Sequence, residues 1–139
     1  MSATPFHFAF YVKDLDSTRQ FYCATLGCRE GRSTDAWVDF DFFGHQLSAH
    51  VNAAPPQPAW TGQVDGVTVP MPHFGAVIGW DDFQALAARV GAAGIAFIIT
   101  PRIRYAGKPG EQATMFFQDP SGNAIEMKAF RHPEGLFAA

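Results

Sequence analysis

Apolar and polar positions alternate at the start of this chain. Residues 6–12 read F-H-F-A-F-Y-V, a run of strand formers. Period-two geometry puts His7, Ala9 and Tyr11 on one face and Phe6, Phe8 and Phe10 on the other. The period then changes. Asp14, Asp16 and Ser17 offer helix-capping side chains, residues 18–26 carry Phe21, Tyr22 and Leu26 at helical spacing, and Gly27 supplies a stop. Three short strands are predicted over residues 28–31, 37–42 and 46–51, separated by polar and glycine-containing turns. The order is β-α-β-β-β.

Residues 52–72 contain Pro55, Pro56, Pro58, Pro70 and Pro72, which disfavour a regular helix or a central strand and predict a long connector. After it the same order recurs. A strand over 73–78 is followed by Asp81 and Asp82 at a helix start, by Phe83, Leu86 and Val90 on one helical face, and by Gly94 as the stop. Strands over 95–100, 113–118 and 124–129 complete a second β-α-β-β-β unit. Laid on each other, the halves match His7 with His73 at an offset of 66 residues and Gly44 with Gly122 at 78. The difference of 12 is the length of an extra loop, residues 101–112. One domain is expected, with module one over 1–52, a connector over 53–72 and module two over 73–131.

Composition narrows the function classes. With 139 residues, 47% hydrophobic and 17% charged, the chain can bury about two-thirds of its unfolded surface without staples. The net charge is -3 and the basic residues are scattered, so no stripe exists to neutralise a phosphate backbone, and nucleic acid is not an expected partner. No apolar run reaches the roughly 18 residues that cross a bilayer, and the opening residues lack the pattern of an export signal, so a cytoplasmic protein without a membrane partner is expected. Cys23 and Cys28 match no zinc or redox spacing and are expected to be reduced. Fourteen phenylalanines suggest an aromatic-lined interior suited to a small organic ligand.

Three segments carry a family resemblance across nearly the full length. They are the opening strand with its histidine followed by V-K-D-L-D, the helix end F-Y-C-A-T-L-G at 21–27, and F-F-Q-D-P-S-G-N-A-I-E-M at 116–127. The chain resembles the vicinal oxygen chelate superfamily, which includes glyoxalases, bleomycin resistance proteins and extradiol dioxygenases. The resemblance implies an α+β fold in which two tandem βαβββ modules form a curved, barrel-like mixed sheet around a divalent metal. Carried over by position, the ligands are His7 and His73 on the first strands and Glu126 on the last strand of module two. The matching position of module one is Ser48, where lactoylglutathione lyases of the family carry a fourth ligand. Two imidazoles and one carboxylate resemble the facial triad that leaves positions open for a bidentate substrate and dioxygen. Iron(II) is favoured on that analogy, with manganese, nickel and zinc as alternatives. Members of this size commonly pair, so a homodimer is expected.

Further expectations follow from position. His50 and Gln46 share a face with Ser48 by alternation; His50 is a candidate acid, base or fourth ligand, and Gln46 and Ser48 are candidate substrate contacts. The basic, glycine-rich loop after residue 100 offers Arg102, Arg104, Tyr105 and Lys108 to bind an anionic substrate group or donate a proton, with Arg102 and Arg104 as the substrate contacts and Tyr105 as the proton donor. His45 and His132 are expected to be solvated. The favoured function is a metal-dependent, dioxygenase-like enzyme acting on a small oxygen-rich molecule. A glyoxalase-type lyase or isomerase is one alternative, and a metal-free binding protein of the bleomycin-resistance type is another.

Overall fold

The computed structural model describes residues 4–138, so the opening residues read above for an export signal lie partly outside the described range. The chain divides into two compact units. One runs up to Gln57 and includes Asp119–Asn123; the other comprises Pro58–Gln118 and the chain from Ala124 onward.

In the first unit, strand β1 (His7–Val12) leads into helix α1 (Leu15–Arg19), and β2 (Arg29–Ser33), β3 (Trp37–Phe42) and β4 (His45–Val51) follow. The Asp14 carboxylate accepts from the Ser17 amide at 2.7 Å, which starts the helix and holds the Asp14 carboxyl below its ordinary pKa. The helix expected over 18–26 is different in kind. It begins three residues earlier at Leu15, and Gln20–Thr25 widen into a π-helical stretch before Gly27 closes it at φ 79°. The sheet order is β1-β4-β3-β2, with β1 parallel to β4 and the other pairs antiparallel. Alternation separates two faces. Val12, Phe40 and Leu47 on one face are buried, and Tyr22 from the π-helical stretch stacks on Phe40 with ring centres 5.1 Å apart. The opposite face carries His7, Gln46, Ser48, His50 and Asp39.

The second unit opens with a feature the proline pattern hid. Residues 60–71, read as part of the connector, form a hairpin of β5 (Trp60–Val64) and β6 (Val67–Met71). Asp65 and Gly66 take positive φ at its two-residue turn, and Pro70 is tolerated because a two-stranded sheet has only edge strands. Val64, Val67 and Val69 of the hairpin pack with Ile99 and Phe116. Helix α2 (Trp80–Ala92) follows, with Asp81 and Asp82 in its first turn and Phe83, Leu86 and Val90 buried. The strands β7 (Phe97–Arg104), β8 (Gln112–Gln118) and β9 (Ala124–Phe130) form an antiparallel sheet. Strand β7 runs through Pro101 to Arg104, so the first third of the expected loop is an edge strand; a register shift before Arg102 accommodates the proline.

The strand expected over 73–78 is reduced to two isolated parallel bridges, Phe74 to Ile125 and Val77 to Lys128. Gly75 explains the interruption: a Cβ there would sit on the Glu126 carbonyl. The two halves nonetheless share one pattern. Parallel partners lie 39 residues apart in module one and 51 in module two, a difference of 12. That register makes His7 equivalent to His73 and Ser48 equivalent to Glu126, as the sequence offsets predict. Among the described residues, none of the three sheets closes on itself.

Candidate metal centre

Within the second unit, His73 and Glu126 come together. His73 Nε2 lies 3.3 Å from Glu126 Oε1, and both side chains are largely withdrawn from solvent, at 17% and 7% exposure. Each is fixed from behind. His73 Nδ1 stands 2.9 Å from the Pro70 carbonyl, which can only accept, so the ring proton belongs on Nδ1 and the lone pair on Nε2 faces the carboxylate. The ring edge packs on Phe116 with centroids 4.7 Å apart. The Thr114 hydroxyl donates to Glu126 Oε2 at 2.6 Å, leaving Oε1 for the histidine side.

A lone pair and a carboxylate oxygen facing each other repel unless something positive is shared between them. A proton on Nε2 would serve, and so would a cation. Two donors held about 2.0–2.1 Å from one ion lie roughly 3.0–3.4 Å apart at ordinary coordination angles. The observed 3.3 Å fits that spacing. Tethering the second ring nitrogen and the second carboxylate oxygen is also the usual way of orienting metal-binding side chains. Beside the pair lies a cavity of about 240 Å³, lined by His73, Gly75, Val77, Glu126 and Lys128 among others. That is below the roughly 300–1,000 Å³ of sites for drug-sized ligands. Only a small molecule would fit there.

In the first unit, His7 is exposed and held in the same manner. Its Nδ1 lies 2.9 Å from Gln46 Oε1, and Gln46 Nε2 donates to Asp39 Oδ2 at 3.1 Å. The amide oxygen accepts only, so His7 too carries its proton on Nδ1 and presents Nε2. Gln46, expected as a substrate contact, is therefore engaged with His7. Ser48 Oγ is 3.1 Å from His50 Nε2, and His50 lines a cavity of about 320 Å³ with Ala9, Phe10 and Tyr11. Among the described residues no three His, Cys, Asp or Glu side chains stand grouped around a common point.

The loop residues separate into two kinds. Arg104 Nε meets Asp65 Oδ2 at 2.9 Å, and its guanidinium also donates to the Tyr105 hydroxyl at 3.1 Å. Tyr105 is half-exposed and takes a φ of 56°. Arg102 is half-buried, on the polar face of the β7-β8-β9 sheet. His45 is not merely solvated, since its Nδ1 accepts from the Phe6 amide at 2.8 Å. Pro70, Thr114 and Asp39 were missed in the sequence. Thr114 could have been found: a hairpin turning at 119–123 sets Phe116 opposite Glu126 and Thr114 opposite Lys128.

The turn Asp119–Asn123 is an anchor. The buried Asp119 carboxylate accepts from the Tyr22 hydroxyl, the Ser121 and Asn123 amides and the Asn123 side chain, all at 2.8–2.9 Å. Burial raises the Asp119 pKa, and these hydrogen bonds oppose the rise. Ser121 Oγ accepts from the Lys13 amide, and Asn123 Nδ2 donates to the Tyr11 carbonyl.

Comparison with known proteins agrees with this architecture. The family model for the Glyoxalase/Bleomycin resistance protein/Dioxygenase superfamily matches residues 4–127. Comparison with curated proteins returned no significant match. Among solved structures, a glyoxalase/bleomycin resistance protein/dioxygenase from Alicyclobacillus acidocaldarius is similar at 30% identity, covering 96% of each chain with a TM-score of 0.76. The genomically encoded fosfomycin resistance protein of Listeria monocytogenes is 20% identical, with 98% of this chain and 100% of that one covered and a TM-score of 0.71. The fosfomycin resistance protein of Mesorhizobium loti is also 20% identical, with 98% and 99% covered and a TM-score of 0.67. At 20% identity the last two show the fold alone. The duplicated βαβββ pattern and the family match over 4–127 agree, and the chain belongs to the Glyoxalase/Bleomycin resistance protein/Dioxygenase superfamily.

Proposed function

We propose that the protein is a divalent-metal-dependent enzyme acting on a small oxygen-rich organic substrate, dioxygenase-like in its ligand set, with His7, His73 and Glu126 holding the ion. One observation carries the reading: His73 Nε2 and Glu126 Oε1 face each other at 3.3 Å while their other polar atoms are tied to Pro70 and Thr114. His7 is tethered through Nδ1 in the same way and is equivalent to His73 by strand register. When bound, a divalent ion with open positions polarises two adjacent substrate oxygens and lowers their proton affinity.

The chain's own residues supply the rest of the reading. Thr114 keeps Glu126 oriented, and Gln46, backed by Asp39, does the same for His7. His50, with Nε2 on Ser48 Oγ, is the group suited to accept or return a substrate proton. Ser48 provides no carboxylate where a lyase would have its fourth ligand, which supports three protein ligands over four. The same reading includes a homodimer and a preference for iron(II).

The test is elemental analysis of anaerobically purified protein offered iron(II), manganese(II), nickel(II) and zinc in turn, beside His73→Ala and Glu126→Gln. About one ion per chain in the parent, lost in both variants, is the expected result. No stoichiometric ion under any condition refutes the reading and leaves a small-molecule binding protein.

A further inference from the structure

On the polar face of the β7-β8-β9 sheet, one row of paired positions runs Arg102, Thr114, Lys128, beside the row that holds Phe116 and Glu126. Ladder partners project from the same face, so both cations leave the sheet on the side of the His73–Glu126 pair. Thr114, between them, is committed to Glu126. Arg104, one row further, is neutralised by Asp65. Arg102 and Lys128 are different. Both are half-buried, and among the described residues neither has a carboxylate, carbonyl or ring partner.

Two like charges set about 10 Å apart across a sheet, two strand spacings, repel only weakly, and an anion placed between them is attracted by both. Their long side chains can converge above Thr114, and Lys128 also lines the cavity of His73 and Glu126. We propose that Arg102 and Lys128 form a subsite for an oxyanion group of the substrate, a carboxylate or a phosphate-type group. The Glu126 carboxylate repels that group from its own end, which fixes the substrate's direction. The charged end lies at Lys128 and the chelating oxygens at His73 and Glu126, about 7 Å away along β9. The substrate class is thus a small anion with two functional ends. Only the role of the chelating end rests on the metal reading; the cation pair stands without it.

The experiment follows backbone amide NMR signals of the full-length, metal-free protein while inorganic phosphate, and separately acetate, is added at constant ionic strength. Saturable shifts at Thr114 and Lys128 with either anion are expected, and the anion that saturates at lower concentration identifies the geometry preferred. Arg102→Met and Lys128→Met should each weaken that binding about tenfold, as loss of a charge-assisted contact does, while Arg89→Met on the exposed side of helix α2 leaves it unchanged. Absence of saturable shifts with both anions, or parent-like binding in both variants, overturns the proposal. Metal uptake by the same protein, offered iron(II), manganese(II), nickel(II) and zinc in a separate step, distinguishes the two readings. Anion binding without any metal uptake sinks the metal reading and spares the subsite, and the reverse sinks the subsite alone.

Discussion

Replacing Gly75 with alanine should be among the most damaging single-methyl changes in the protein. A Cβ at this position meets the Glu126 carbonyl, with the Glu126 carbon and nitrogen close behind. Those are backbone atoms, so no rotamer change relieves the overlap, and segment 73–78 must move off β9. Four backbone hydrogen bonds join them: Phe74 to Ala124, Glu126 to Phe74, Lys128 to Ala76 and Ile78 to Lys128. At about 1 kcal/mol net each, complete loss approaches 4 kcal/mol, and partial rearrangement costs about 2. That is a large share of the 5–15 kcal/mol typical of a folded domain. Gly91 is the control, because nothing lies within 4 Å of a Cβ built there and it sits inside α2. Gly91→Ala should stabilise by about 0.5–1 kcal/mol through helix propensity. Urea unfolding of the three proteins, followed by tryptophan fluorescence and circular dichroism, gives both differences. A Gly75→Ala protein within about 0.5 kcal/mol of the parent would refute the close-approach argument.

Other perturbations test the site and its supports. Thr114→Val removes the 2.6 Å donor to Glu126 Oε2 and should weaken metal binding about tenfold or more, read by competitive titration with a chelating dye. Gln46→Leu frees the His7 ring and should weaken binding by a similar factor, with unfolding stability nearly unchanged because His7 and Gln46 are exposed. Tyr22 is fully buried, and burial, reinforced by the charge of Asp119, raises its pKa well above the ordinary value. The folded chain therefore keeps a proton that the unfolded chain releases above about pH 10, and stability falls as pH rises through that range. Tyr22→Phe should be less stable than the parent at neutral pH yet lose less on further alkalisation, as urea midpoints would show. An unchanged alkaline slope would remove Tyr22 from this role.

The strands and the duplication were legible because alternation and glycine stops are local signals. The pairing of His7 with His73 and of Ser48 with Glu126 could be read from spacing, whereas their choice as candidate ligands came from the family resemblance. The β5-β6 hairpin was not read, although Asp65-Gly66 is a strong two-residue turn signal, because the prolines around it suggested a connector. The first strand of module two was overestimated for a reason no propensity contains, the approach of Gly75 to the neighbouring backbone. The supports of the site were hidden in a different way. Pro70 holds His73 through a main-chain carbonyl, which carries no side-chain signature, and Asp39 reaches His7 only through Gln46 across adjacent strands.

The segment that most clearly announces kinship is D-P-S-G-N at 119–123, and every polar group of Asp119 is occupied in holding that turn to Tyr22 and to itself. Ancestry and chemistry are therefore written in different residues. A chain can keep this turn intact while the polar faces of its sheets are rewritten for another reaction. Sorting relatives by the turn groups them by shape, whereas sorting them by what stands at 48, 102 and 128 would, on the site proposed above, group them by the ligand they take.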